Sequence, residues 1–567
     1  MQVAELKRSI DAFVEEFKRL CKRAGGRIKE SKGYTYGLTC YLPEPKEVMV
    51  ATSLEVNDNR RLKIEIRDVG SAEISDEDLS IIDENVQPEQ EIEIVPKSEI
   101  DAIIKSALEE KSEFNWSELN DVQLWSALVH SDSILTVGYL AAGEQNINER
   151  MTSINVQDPD WVNSRTDIIE ETRAVIERKR EQNITDEELP NFSHDVLPFV
   201  EMKVYDLEVI NRLRSMENVR YVEPLGYQVD FQKYGENERY SDSGCSNDPN
   251  YSIAGLYTDI APGAKMSWNY PQMGIDQAWN YSTGAGITIG MIDTGLSPDQ
   301  AKLGSQFNSG YSQNRTVERK GTYQTGSWWW KEYDGPDDKC GHGTSMAGVA
   351  TAPRSNDGSA VGVAYNANLV GVRGTSDVVV NGGNEKDGVT EALVYLGNRS
   401  DVKIISMSIG DVFNNSKVAD GIRYAYGRGK LIFSAAGTST SWTNWYGVIF
   451  PANMNETVAV TGVKEGQYER CNTCHSGDKV DFTVIMEKAG SDAHPLSVAM
   501  SGNQPSTVGG SSVATATTAG IAALVWSKNP TWSRDQVLQK LRESSDFYPN
   551  RSSEFGYGNL NALSAVQ

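Results

Sequence analysis

From about residue 251 to the end, short apolar runs alternate with helix-length segments, and this alternation narrows the folds open to the chain more than any other feature. The runs are Ile287–Ile292, Asn368–Val372, Ile404–Met407, Leu431–Ala435 and Thr457–Thr461. Little polar alternation interrupts them, which is the pattern of strands buried on both faces. Helices fit at His342–Ala350, Lys386–Tyr395, Ser416–Gly427, Ser512–Ser527 and Arg534–Ser544. The expected fold class is therefore α/β, a mostly parallel sheet with helices on both faces. No internal repeat is visible.

The first 250 residues are built differently. Val3–Ala24 places Leu6, Ile10, Phe13, Val14, Phe17 and Leu20 mostly three or four apart, the spacing of an amphipathic helix. Strand-like runs follow at Tyr34–Leu42, Val48–Val56 and Leu62–Val69, and Ser75–Glu110 is heavily acidic and weakly periodic, with helical pieces. From Asp132 the order becomes strand (Ile134–Leu140), helix (Trp161–Arg180), strand (Val196–Tyr205), helix (Leu207–Met216), strand (Val219–Val222). That order predicts a small α+β sandwich with its helices on one face. The expected organisation is an acidic accessory or regulatory region over 1–125, a compact module over 130–235, a polar junction over 236–250 and the large α/β domain over 251–567.

Charge follows the same division. The net charge of −25 comes from 54 basic and 79 acidic residues among 567; residues 1–250 hold 51 acidic and 29 basic side chains, and residues 251–567 hold 28 and 25. So acidic a chain is not suited to a nucleic-acid backbone or an anionic membrane surface as its main partner. The longest apolar stretches, such as Gly520–Trp526, fall far short of the ~20 residues of a membrane span. Met1–Gly25 is studded with charge and reads as no signal peptide. Six cysteines are too few for a disulfide-stapled scaffold, so the expected setting is the reducing cytoplasm, with isolated buried thiols.

Three short segments carry the candidate chemistry. The run Ile287–Ile292 ends in Asp293-Thr294-Gly295, which puts a carboxylate at the carboxyl edge of a parallel sheet, where open α/β proteins place their sites. Gly341-His342-Gly343 opens an Ala-rich helix, and a histidine there suits general-base work at neutral pH. Four other histidines, at positions 130, 194, 475 and 494, read as satisfied core or surface residues. Gly509-Gly510-Ser511-Ser512 runs into an apolar helix, whose free N–H groups favour a hydroxyl nucleophile and a developing oxyanion. Each segment alone has an ordinary structural explanation, as turn, core residue or helix cap. In the order Asp, His, Ser they follow one of the known chain orders of a serine-hydrolase triad.

With these come IGMIDTGLSPD, GHGTSMAGVAT, VGVAYNANLVGVR, IISMSIG, LIFSAAGT, FPANMNETVAVTGV and GSSVATATTAGIAAL, spread over most of residues 250–567. The set resembles the subtilases, the subtilisin-like serine peptidases. The resemblance implies a subtilisin-like sheet and a peptidase in which Asp293 supports His342, His342 takes the proton of Ser512, and Ser512 attacks the peptide carbonyl. Ser511 stands where the family usually has threonine and is the decoy hydroxyl. Segments around Ser406, Ser408 and Gly410, and around Ala435 and Gly437, would flank the substrate. Where the family has its oxyanion asparagine this chain has Thr438, whose hydroxyl is the expected donor, with Asn444 as an alternative. The implied partner is a protein or peptide substrate. No cofactor is required and structural calcium is allowed; the loop with Asp334, Asp337 and Asp338 reads as a solvated turn.

Two further readings depend on this resemblance. Leu197–Val204, Leu213 and Asn218–Pro224 resemble the end of a subtilase propeptide, which implies that the chain's own N-terminal segment is an intramolecular inhibitor and folding template, making the protein a self-inhibited zymogen that processes itself near the junction. A catalytically weak regulatory protein that binds a partner, and a peptide ligase or macrocyclase, are the alternative uses of the same domain. The family also leaves secretion open. Cys471-Asn472-Thr473-Cys474-His475 has the spacing of covalent haem attachment, but its context leaves no room for haem; a disulfide or a zinc-like cluster drawing on Cys340 is the alternative to isolated thiols.

Overall fold

A computed structural model describes the backbone of residues 27–32, 35–41, 48–55 and 63–68, and residues 93–111, 113–230, 245–328, 330–437 and 447–567 in full. The helix expected over Val3–Ala24 lies outside the described residues. The chain forms two compact units, Met1–Glu91 and Ile92–Gln567.

In the first unit, Arg27–Lys32, Thr35–Tyr41, Val48–Glu55 and Lys63–Asp68 form a four-stranded antiparallel meander in sequence order. Three of these strands match the expected runs; Arg27–Lys32, a mostly charged segment, has no apolar signal to reveal it.

The second unit begins with a module whose antiparallel sheet has the order Asn191–Ser193, Phe199–Lys203, Ile134–Tyr139, Val219–Pro224. Helices Pro159–Arg180 and Leu207–Arg214 connect these strands as the sequence order requires. The expected boundary near residue 125 needs correction. Helices Lys97–Lys111 and Asp121–Val129 bury Ile100, Ile104, Leu108, Leu124 and Leu128 in the same core as Leu135, Val137, Phe199 and Leu213. Ile100, Ile104 and Leu108 recur every four residues, so this helix has one apolar stripe and no independent core; it folds with the sheet. Four residues from the downstream domain, Val394, Val412, Phe413 and Tyr424, complete the cluster.

That domain holds a seven-stranded sheet in the order Val317–Gly321, Asn368–Arg373, Thr288–Asp293, Val402–Met407, Leu431–Ala435, Val458–Lys464, Val480–Glu487, with every neighbouring pair parallel. The chain enters at Thr288–Asp293, runs out to one edge, returns beside its start and then builds the other side. Thr288–Asp293 therefore lies at the switch of direction, where the carboxyl ends of adjacent strands diverge and leave a crevice. Helices His342–Thr351 and Gly510–Lys528 join the core of one face, and Gly383–Asn398 and Ser416–Gly427 that of the other. The last two also face the N-terminal module.

The junction expected over 236–250 is only partly a linker. Residues 231–244 lie outside the described residues, whereas Cys245 is disulfide-bonded to Cys340, Asn247 Nδ2 donates to Val498 O, and Asn250 N donates to Pro505 O. The isolated-thiol expectation is likewise corrected, because Cys471 and Cys474 also form a disulfide. Among the described residues no helix is long and apolar enough to cross a membrane.

Candidate active site

Thr288–Asp293 is buried along its whole length, so its last carboxylate is presented from a rigid base. Asp293 Oδ1 accepts a hydrogen bond from the N–H of Thr294 at 2.8 Å and lies 2.8 Å from His342 Nδ1. The glycines around His342 have separate local reasons. Gly341 has φ +97°, a conformation that side chains rarely adopt, and it starts the helix. A Cβ on Gly343 would lie 2.3 Å from the carbonyl of Gly295, so only glycine lets the helix press against the Asp293–Gly295 turn.

Asp338 holds this arrangement together. It accepts from the N–H groups of Cys340, Gly341 and Thr344 and from the hydroxyls of Thr294 and Thr344, at 2.6–2.9 Å. Thr294 Oγ1 in turn accepts from Gly343 N–H at 2.8 Å. The solvated-turn reading of this acidic loop is thus wrong for Asp338, which is 4% exposed and caps the helix that carries His342. Asp334 pairs with Arg373 and Lys339, and Asp337 with Arg319. Among the described residues no group of three or more His, Cys, Asp or Glu side chains is arranged to hold a metal ion.

His342 is buried, and burial is the largest influence on its titration, opposing the imidazolium; the facing carboxylate of Asp293, helped by Asp338 and Asp377, outweighs it and raises the pKa above the ordinary value. With the carboxylate of Asp293 as acceptor, the hydrogen sits on Nδ1 and the lone pair on Nε2, the form that could take up a proton.

Ser512 is the third residue of Gly510–Lys528, within the turn whose N–H groups lack helical acceptors. Its Oγ donates to Ser408 O at 3.3 Å, and Ser408 Oγ donates to Ser512 O at 2.9 Å. Ser408 follows the strand next to Thr288–Asp293, so Asp293, His342 and Ser512 all stand at the carboxyl edge of the sheet. Ser511 Oγ accepts from Gly437 N–H at 3.2 Å.

Of the substrate-flanking candidates, Ser406 is fully buried in its strand, opposite Met291 and Phe433. Gly410 pairs with the segment 378–380: its N–H donates to Val378 O and its carbonyl accepts from Val380 N–H. Ala435 ends the strand Leu431–Ala435, and Gly437 follows with φ +129°. Thr438 and Asn444 lie outside the described residues.

The sequence reading missed Asp338, the Cys245–Cys340 bridge and the packing of His475 against Gly437. Asp338 had a signal, a carboxylate four residues before the glycine-flanked histidine.

Residues 284–558 match the model of the subtilase family. The thermophilic serine proteinase of Bacillus sp. (strain AK1) is 27% identical over 293 residues, which cover 51% of this chain and 64% of that protein. Thermitase of Thermoactinomyces vulgaris is 26% identical, with 51% of this chain and 92% of the relative covered. Among solved structures, MycP1 from Mycobacterium smegmatis superposes on 55% of this chain and 88% of its own, with 18% identity and a TM-score of 0.42. Residues 284–558, just under half of the chain, thus carry the sequence pattern of the subtilase family of subtilisin-like serine endopeptidases.

Proposed function

We propose that the protein hydrolyses internal peptide bonds through Asp293, His342 and Ser512 and is made as a zymogen inhibited by its own N-terminal module. The observation that carries this reading is the buried Asp293–His342 pair, 2.8 Å apart, at the sheet edge where Ser512 opens its helix. Ser512 leaves its contact with Ser408, gives its proton to His342 Nε2 and attacks the substrate carbonyl. Asp293 stabilises the imidazolium that forms. The oxyanion takes the Ser512 N–H and the Thr438 hydroxyl; the amine leaves with the proton held by His342, and water releases the acyl group by the same steps.

The inhibitor role rests on the interface of the module with Gly383–Asn398 and Ser416–Gly427. Glu223 caps the second helix, accepting from Ser416 N at 3.1 Å and from Ser416 Oγ at 2.5 Å. Lys386 Nζ donates to Leu225 O, and Arg220 makes a two-pronged pair with Asp420 at 2.7 and 2.8 Å. Cleavage within 231–244 would separate the module, while Cys245 stays bonded beside the catalytic helix. Two disulfides fit an oxidising compartment better than the cytoplasm, and we place the mature domain there. The substrates are proteins or peptides.

The test is incubation of the purified chain beside Ser512→Ala, with amino-terminal sequencing, casein hydrolysis and labelling by a fluorophosphonate probe. The expected result is a new amino terminus within 232–245, casein cleavage and labelling, all lost in Ser512→Ala. A parent chain that stays intact, leaves casein whole and does not label would refute the reading. It would favour the partner-binding alternative, for which the replacement of the oxyanion asparagine by Thr438 is the supporting feature.

A further inference from the structure

The Cys-x-x-Cys-His run has no part in the mechanism above, yet it sits directly behind the active-site segments. Its first residue is laid against the strand Val458–Lys464: Arg470 bridges Val463, and Cys471 N–H donates to Gly462 O at 3.0 Å. Cys474 N–H donates to Cys471 O at 3.0 Å and the Cys471–Cys474 disulfide closes the same turn, with both cysteines fully buried. Cys474 Sγ packs so closely on Gly462 that a Cβ there would lie 2.7 Å away. The turn is thereby fixed to the sheet from two sides.

What the turn presents is His475, 1% exposed. Its N–H donates to Gly437 O at 3.0 Å, its Nδ1 lies 3.0 Å from Gly447 O, and its own carbonyl accepts from Thr461 Oγ1. The ring rests on Gly437 itself, where a Cβ would meet Nδ1 at 2.3 Å. Burial, helped by Arg470, pushes the imidazole down to about 4, so it is neutral at working pH. Gly447 O can only accept, which places the single ring hydrogen on Nδ1. Among the described residues, buried Nε2 has no hydrogen-bond partner.

One residue therefore joins the two ends of the segment 438–446, and one of those ends reaches the nucleophile helix, because Gly437 N–H donates to Ser511 Oγ, one residue before Ser512. Gly437 is also followed in sequence by Thr438. We infer that His475, set in place by the Cys471–Cys474 turn, is a positioning residue for peptide hydrolysis, holding Gly437 and Gly447 so that the backbone beside Ser511 and Ser512 keeps the register that transition-state stabilisation requires. The inference rests on the peptidase reading. A displacement of about 1 Å in such a group costs on the order of 10²-fold in rate, which sets the scale expected here.

The experiment compares the processed enzyme, made from the full chain, with His475→Ala, His475→Asn and His475→Gln made the same way, measuring kcat and KM on a fluorogenic peptide, the rate of fluorophosphonate labelling, and Tm. Asparagine carries an N–H donor close to the position of Nδ1, whereas glutamine carries its amide further out. His475→Ala is expected to lower kcat and labelling by roughly 10- to 100-fold with KM within about 3-fold, His475→Asn to recover most of the loss, and His475→Gln to stay slow. If His475→Ala does not fold, the comparison of asparagine with glutamine decides alone. A folded His475→Ala with kcat within about 3-fold of the parent, or asparagine and glutamine variants equally slow, overturns the inference and leaves the peptidase reading intact. A parent that neither labels nor cleaves removes both.

Discussion

Removing the carboxylate of Glu201 should release the N-terminal module from the catalytic domain. Glu201 is fully buried in the module, and its Oε1 accepts from Lys417 Nζ of the catalytic domain at 2.5 Å, while Oε2 accepts from Trp328 Nε1 at 2.9 Å. Lys417 also pairs with Asp387, and Asp387 pairs with Lys331. Burial is the largest influence on Lys417 and opposes its charge, but Asp387 and Glu201 outweigh it and hold the ammonium above its ordinary range. Burial first, and then Asp387, push the Glu201 carboxyl up while Lys417 and Lys331 pull it down, so two ammoniums face two carboxyl groups at the interface.

Glu201→Ala leaves two ammoniums facing one carboxylate, and Lys417, its side chain 1% exposed, cannot reach water. Breaking one side of a buried ion pair costs about 3–5 kcal/mol; because the Lys331 side chain is 18% exposed and can lean out, the lower end applies. About 3 kcal/mol is roughly a 100-fold weaker Kd. The assay uses the Ser512→Ala chain, which cannot digest itself, with a specific protease site placed in 231–244. Cutting that site gives a nicked complex whose dissociation on dilution is followed by analytical ultracentrifugation. Glu201→Gln, which keeps an acceptor for Trp328 without the charge, should lie nearer to Glu201→Ala than to the parent. A Kd for Glu201→Ala within about 3-fold of the parent, with the nicked complex equally stable to heat, would refute the electrostatic argument.

Asp293→Asn preserves the shape of the site but lets the imidazole carry its hydrogen on the wrong nitrogen; turnover on a fluorogenic peptide should fall by about 10⁴-fold with Tm little changed. Asp411, buried next to Gly410, has its carboxyl pushed up by burial to about 7 against an ordinary 3.8, with Lys386 pulling the other way. The folded state therefore keeps a proton that the unfolded state gives up as pH rises from about 4 to 7, and stability falls by about 4 kcal/mol across that window. Urea unfolding at pH 4.5 and 7.5 should show this fall in the parent and a shallower one in Asp411→Asn; parallel profiles would refute it. The Cys245–Cys340 disulfide spans 95 residues, so replacing both cysteines by serine should destabilise the chain by about 4 kcal/mol, read from denaturant midpoints.

What the sequence made legible follows from where each element's side chains go. Strands of the parallel sheet are buried on both faces, so Leu431–Ala435 could be located to the residue and Thr288–Asp293 to within one. The edge strand Val317–Gly321, half-buried along its length and reading Val-Glu-Arg-Lys-Gly, has no apolar run and was not found. Asp293, His342 and Ser512 could be named because each sits in a short segment whose neighbours are dictated by close backbone packing, as Gly343 is by Gly295. Contacts between segments far apart in sequence left no such trace. Glu201 and Lys417 are 216 residues apart, and nothing local in either segment announces a buried ion pair. The acidic run before residue 110 hid the Ile100, Ile104, Leu108 stripe for a related reason: charge on the outer face of a helix masks a narrow apolar one.

The charge division of the chain takes on a different meaning at the interface. A strongly acidic leader would be expected to hold a basic partner, but residues 251–567 are themselves slightly acidic, with 28 acidic against 25 basic side chains, so the overall fields of the two parts repel weakly. Attachment has to come from local features that override this repulsion. The apolar ones are Phe413, stacked edge-on at 6.0 Å from Phe114, together with Val394, Val412 and Tyr424 in the module's own core. The polar ones place a catalytic-domain cation against a leader carboxylate at Lys417 and Glu201, but reverse the polarity at Arg220 and Asp420. Paired in both directions and buried, these charges fix the register of the two parts more than they attract them, because solvent-exposed pairs beyond the Debye length are screened while buried ones are not. If the chain is the zymogen proposed above, the same weak repulsion would favour departure of the leader after cleavage and oppose its rebinding, so an inhibitor held by a few buried contacts would also be one that can leave.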